Sequence, residues 1–151
     1  MVLQEKELRL FIVEAKKNAY AAGAASGDVL SGPGAKNFPY AAGSYSYLDS
    51  YFGETDFAGQ ELVRRNGTPL WALNYYGTTL NPVDGFPEFL LECLGKVTEA
   101  APFRGPEQYR NERFEYNCFW SGDISRFKGE ERLLHRGEMI FTLTFHGGFI
   151  T

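Results

Sequence analysis

The chain has little of what the commonest catalytic and metal sites are built from. It holds two cysteines, Cys93 and Cys118, and two histidines, His135 and His146. Two thiols are too few for a disulfide scaffold, and neither Cys nor His has metal-ligand spacing. On the expected strand register the two histidines also point to opposite faces, so no metal is expected. No Gly-x-Ser-x-Gly elbow and no Ser-His-Asp arrangement is present. Ser31-Gly32-Pro33-Gly34-Ala35-Lys36 lacks the second Gly-Lys-Ser/Thr element of a phosphate-binding loop, and no cofactor is expected. No basic block exceeds Lys16-Lys17 and Arg64-Arg65, and the formal net charge is −4. A phosphate backbone asks for a clustered basic footprint, so no direct nucleic-acid partner is expected. No apolar run reaches membrane-spanning length. Met1-Val2-Leu3-Gln4-Glu5-Lys6 opens into a charged amphipathic helix without the apolar core of a signal peptide, which points to a cytoplasmic protein without membrane contact.

What the chain does have is aromatic surface: 13 Phe, 9 Tyr and 2 Trp, within a hydrophobic fraction of 44%. That supports one real core, and residues 1–151 read as a single domain. Sliding the sequence by 70 residues places Phe57 on Phe127, Gly59 on Gly129, Glu61 on Glu131, Gly67 on Gly137, Leu73 on Leu143 and Gly77 on Gly147. With one inserted residue Tyr45-Ser46-Tyr47 aligns with Phe114-Glu115-Tyr116. Each copy begins with a helix. Leu8, Phe11, Ile12, Ala15 and Ala19 make the first apolar stripe, with Gly23 as its stop. The second helix starts near Asp84-Gly85-Phe86-Pro87 and carries Phe86, Phe89, Leu90, Cys93, Leu94 and Val97. Period-two alternation then marks three strands per copy, with Asn66-Gly67 and Arg136-Gly137 at hairpin turns. The expectation is an α+β fold: an internally duplicated α-β-β-β unit (halves about 3–80 and 84–151), with an antiparallel sheet and both helices on one face. Residues 24–43, rich in Gly, Ala and Ser and without periodicity, read as a long surface loop or as a lid over a site.

A two-residue hairpin at Asn66-Gly67 sets Leu62 opposite Trp71, Glu61 opposite Ala72 and Gly59 opposite Asn74. Leu62, Trp71, Leu73 and Tyr75 would then face the helices, with Leu134, Phe141, Leu143 and Phe145 in the second copy. The other face would mix Glu61, Asn74 and Tyr76, and Glu131 and His146, with apolar neighbours. Apolar walls around a few polar groups are how ligand pockets are lined. Glu61 and Glu131 read either as site carboxylates or as surface groups paired with Arg64, Arg65 or Arg132. Asp49, between Tyr47 and Tyr51, reads either as a solvated rim residue or as a carboxyl in an apolar pocket with a raised pKa. Cys118 reads as a buried, inert thiol.

The runs Tyr47-Leu48-Asp49-Ser50-Tyr51-Phe52-Gly53, Phe57-Ala58-Gly59-Gln60-Glu61 and Trp71-Ala72-Leu73-Asn74-Tyr75-Tyr76-Gly77 resemble an uncharacterised bacterial and archaeal family of unknown function. So do Phe103-Arg104-Gly105-Pro106 and Phe145-His146-Gly147-Gly148. Members of that family sometimes lie behind a helix-turn-helix. The resemblance implies that Asp49, Tyr51, Gly59, Glu61, Trp71, Asn74, Tyr76 and Gly77 belong to the family pattern; it implies no established activity. No helix-turn-helix is read here, so no direct regulatory role is expected.

The leading expectation is a small-molecule-binding domain, its cleft on the mixed face and its ligand an amine or cation. Glu61 and Asp49 would anchor that ligand, Tyr51, Tyr76 and Trp120 would wall it, Asn74 would orient it, and Glu131 would add a group from the second copy. The rival is a cofactor-independent isomerase, cyclase or hydrolase. There Asp49 or Glu61 would be the general base and His146 or Tyr76 the acid. A third reading is a structural module forming a homodimer through a strand edge.

Overall fold

The computed structural model describes residues 2–22 and 31–151. Leu8, Phe11, Ile12, Ala15 and Ala19, spaced three and four apart, are the buried stripe of helix α1 (Val2–Ala22). Helix α2 (Phe86–Leu94) has Pro in its first turn and buries Phe86, Phe89, Cys93 and Leu94. Gly23, the expected stop of the first helix, lies outside the described residues. Among the described residues no helix is long and apolar enough to cross a membrane.

Eight strands follow the order β1 (Lys36–Ala42), β2 (Tyr45–Gly53), β3 (Asp56–Arg65), β4 (Thr68–Thr79), β5 (Gln108–Arg110), β6 (Phe114–Asp123), β7 (Arg126–His135) and β8 (Glu138–Phe149). They form one antiparallel sheet in the spatial order β1-β2-β3-β4-β8-β7-β6-β5. The fold is therefore α+β. Chain segments β1–β4 and β5–β8 meet where β4 runs against β8, with Tyr75 opposite Phe145. Both helices contribute to one continuous core with the inner face of the sheet. Strands β1 and β5 were not expected. Residues 36–42 form an edge strand rather than loop, held by pairing with β2, and residues 24–30 of the expected lid lie outside the described residues.

The largest departure from expectation is a bulge. Asn66 and Gly67 both adopt the positive φ of a two-residue hairpin turn, as do Arg136 and Gly137. Arg65 faces Thr68 and Arg64 faces Pro69, but Val63 then faces Trp71 and leaves Leu70 as an extra residue. In the second hairpin Leu134 faces Met139, Leu133 faces Phe141, and Ile140 is the extra residue. A one-residue slip turns every later side chain to the other face. Glu61 thus faces Leu73 instead of Ala72. Glu61, Val63, Glu131 and Leu133 join the core face, whereas Leu62 and Leu134 leave it.

The retained glycines now have a physical reason. Phe57 faces Gly77 and Gly59 faces Tyr75; Phe127 faces Gly147 and Gly129 faces Phe145. A Cβ on Gly59 would lie 2.4 Å from the Tyr75 ring, and one on Gly129 2.3 Å from the Phe145 ring. Each aromatic ring lies over the glycine of the neighbouring strand, so the Phe-x-Gly spacing is a packing device.

Candidate functional site

The inner face carries a buried polar layer beneath α1 and the segment following α2. Glu61, fully buried, accepts hydrogen bonds at Oε1 from the Lys16 ammonium (2.6 Å) and the Tyr47 phenol (2.7 Å). Lys16 also donates to the Phe103 carbonyl at 2.6 Å. Glu131, equally buried, is held by the Arg104 guanidinium in a two-point pair at 3.2 and 2.9 Å and by the Tyr116 phenol. That phenol accepts from the Gly105 amide at 2.8 Å, and burial followed by the Glu131 charge pushes its pKa well up. Each half therefore contains a Tyr–Glu–cation unit, with the Tyr from the adjacent strand and the cation from the helical layer. A buried carboxylate requires such donors, because an uncompensated buried charge costs several kcal/mol, of order 3–5.

Asp49 completes the layer. It faces Glu61 across the strand pair and accepts from the Tyr75 phenol at 2.6 Å, while the Arg104 guanidinium lies over the Tyr75 ring. Burial, then repulsion from Glu61, pushes its pKa up to about 7 against the pull of Tyr75, Lys16 and Arg104. Of the two readings of Asp49, the buried one is what the structure shows. The surface pairing considered for Glu61 and Glu131 is not found; their partners are Lys16 and Arg104 instead of Arg64, Arg65 or Arg132. Tyr51 packs between Phe38 and Phe57, and Trp120 lies against Phe103. Cys118 and Cys93 are buried, and burial followed by the Glu131 charge pushes both thiols up to about 12.

Asn74, Tyr76 and His146 lie on the opposite, outer face. Asn74 faces His146 directly, and Tyr76, 56% exposed, faces Thr144. A polar row crosses the sheet through Ser50, Gln60, Asn74, His146, Lys128 and Ser121, each opposite the next. The Gln60 amide donates to Asn74 Oδ1 at 2.7 Å. Ser31 bonds Ser50 and Asn37 near the β1 end of this row. At its other end, Lys128 and His146, with Arg126, are exposed around a cavity of about 430 Å³ that Ser121 and the backbone of Gly122 and Gly147 help to line.

The expected site residues thus divide between two faces: Asp49, Glu61, Tyr51, Trp120 and Glu131 inside, and Asn74, Tyr76 and His146 outside. Lys16, Tyr47, Arg104 and Tyr116 were missed on the inner side, and Arg126 and Lys128 on the outer. Lys16 was detectable, since it follows Ala15 and stands four residues after Ile12 on the stripe that α1 buries. Among the described residues no group of three or more His, Cys, Asp or Glu could hold a metal ion.

Residues 49–150 match the model of a family described as a domain of unknown function (DUF5680). No curated protein and no solved structure matches.

Proposed function

Starting from the chain's membership of the DUF5680 family, we propose that it is a small-molecule-binding domain whose ligand lies on the outer face of the sheet. We also read the two halves as copies of one unit. Strands β3 and β7, and β4 and β8, are displaced by the same 70 residues at both ends, and each hairpin carries its bulge at the same place.

One observation carries the functional reading. On the outer face at the β4–β8 junction, four residues from two positions at which the copies differ come together: Asn74 against His146, and Tyr76 against Thr144. The inner face, by contrast, repeats its Tyr–Glu–cation units. Repetition there serves the framework, and divergence at the junction supplies an asymmetric polar and aromatic surface open to solvent. Tyr76 offers an exposed ring for stacking, Asn74 a hydrogen-bonding amide and His146 an imidazole.

The geometry favours binding over acid–base chemistry by the buried carboxyls. Asp49 and Glu61 lie on the other side of the sheet from His146 and Tyr76, so the two sets do not share a reacting atom. It also turns the expected charge of the ligand. The carboxylates that would hold an amine are already paired with Lys16 and Arg104. An edge-to-edge dimer has less support, since one edge strand contains Pro39 and the other spans three residues.

The test is a thermal-shift screen of a metabolite collection on the wild type, followed by Asn74→Ala and Tyr76→Ala. A true ligand raises the melting temperature by mass action, and both variants should lose most of that rise. Hits indifferent to both substitutions, or no hits at all, would overturn the reading.

A further inference from the structure

Within that reading of the outer face, we infer that the charged end of the ligand is a phosphate group, held by Arg126, Lys128 and His146. Lys128 lies between Ser121 and His146 in the same cross-strand row, and Arg126 is two residues along the same strand and the same face. Side chains directly opposite on antiparallel strands stand about 5 Å apart, and diagonal ones about 7 Å. The four groups therefore surround one cavity from three strands.

Five basic side chains elsewhere are ion-paired: Arg9 with Glu5, Lys16 with Glu61, Lys36 with Glu54, Arg104 with Glu131, and Arg132 with Glu130. Arg126 and Lys128 have no ion pair among the described residues. The acidic groups nearest in register are occupied. Asp123, opposite Arg126, accepts from the Ser125 amide and hydroxyl. Glu130, next along the face from Lys128, is bound to Arg132. On a chain of net charge −4, Arg126 and Lys128 beside an imidazole and a hydroxyl outweigh the single Asp123 carboxylate and leave a local positive field.

Phosphate fits this arrangement better than carboxylate does. A carboxylate presents two oxygens in a plane and is satisfied by one guanidinium fork, whereas donors converging from three strands suit a group with three terminal oxygens. A nucleic acid would need the basic surface to continue along a backbone; here the row continues into the neutral Asn74 and Gln60. A small phosphomonoester is thus the expected class, its uncharged body extending toward Asn74 and Tyr76.

Calorimetric titration at about 0.15 M ionic strength, where the Debye length is about 8 Å, with glycerol 3-phosphate, and with glycerol as the uncharged control, tests this on the whole chain. Saturable binding of glycerol 3-phosphate but not glycerol is expected. The Arg126→Ala/Lys128→Ala variant should weaken it by at least about tenfold, the scale of losing a charge-assisted contact. Lys17→Ala, an exposed change of the same sign on α1, should leave it within about twofold, because surface charges more than a Debye length away are screened. Equal weakening by Lys17→Ala would mean a diffuse charge effect, and the absence of saturable binding would mean no site; either overturns the inference. If library hits depend on Tyr76 and Asn74 but not on Arg126 and Lys128, the phosphate assignment falls while the outer-face reading stands.

Discussion

Replacing Lys16 by Met probes the buried layer that holds the sheet against its helices. The Lys16 ammonium makes a 2.6 Å contact to Glu61 and another to the Phe103 carbonyl. Met keeps most of the side-chain volume, so the change is mainly one of charge and hydrogen bonding. It leaves Glu61 with Tyr47 as its donor to Oε1; Oε2 has no hydrogen-bond partner among the described residues to begin with. Breaking a buried pair by removing one partner costs about 3–5 kcal/mol. For a domain of this size each kcal/mol shifts the melting temperature by roughly 2–4 °C, so the midpoint should fall by on the order of 10 °C. Urea denaturation followed by circular dichroism gives the free energy directly, with an unchanged slope confirming that the exposed surface is comparable. Adding Glu61→Gln to Lys16→Met removes the stranded charge and should recover at least half of the loss. A loss below about 1 kcal/mol for Lys16→Met, the scale of an exposed pair, would refute the view that Glu61 depends on Lys16 for its charge balance.

Other consequences follow from the same layer. Asp49 has its folded pKa raised to about 7 from an ordinary 3.8. Its contribution to stability is therefore full below pH 4 and is lost as the pH rises through 7, up to about 4 kcal/mol. Asp49→Asn should flatten that part of the melting-temperature profile, and an unchanged profile would contradict the assignment. Tyr116→Phe removes one donor from Glu131, which keeps its Arg104 pair, leaves the Gly105 amide without its acceptor, and should cost about 1–3 kcal/mol in chemical denaturation. Gly59→Ala has no room under the Tyr75 ring and should cost at least as much as a typical overpacking change, about 1–3 kcal/mol. Cys93 and Cys118, with thiol pKa values near 12, should resist a thiol reagent at pH 8 in the native protein and react on unfolding; rapid native labelling would contradict their burial.

Much of this architecture was legible in the residues, and its limits have specific causes. Apolar spacing located both helices, because an amphipathic stripe is a local signal; Leu8 through Ala19 and Phe86 through Leu94 are buried as spaced. Asn66-Gly67 and Arg136-Gly137 located the turns, because a positive φ selects few residues. The sheet faces were legible on β4 and β8, where Trp71, Leu73, Tyr75, Phe141, Leu143 and Phe145 are buried as expected, but not on β3 and β7. The bulges follow Val63 and Leu133, where no glycine or proline marks the extra residue itself, and they move Glu61 and Glu131 into the core. Strand β1 escaped because its Asn37, Pro39 and small residues give weak alternation, and pairing with β2 supplies what propensity does not. The polar layer escaped because its partners are distant in sequence: Lys16 meets Glu61, and Arg104 meets Glu131. The outer cluster escaped because Arg126, Lys128 and His146 converge only once β7 pairs with β8.

The most direct test of the phosphate-binding account of the outer face is to map bound glycerol 3-phosphate by two-dimensional amide NMR. The account predicts saturable shift changes confined to the outer-face junction, centred on Ser121, Arg126, Lys128 and His146 and reaching Asn74. Changes centred instead on the inner layer around Lys16, Arg104 and Asp49, or a spectrum that does not respond, would contradict it.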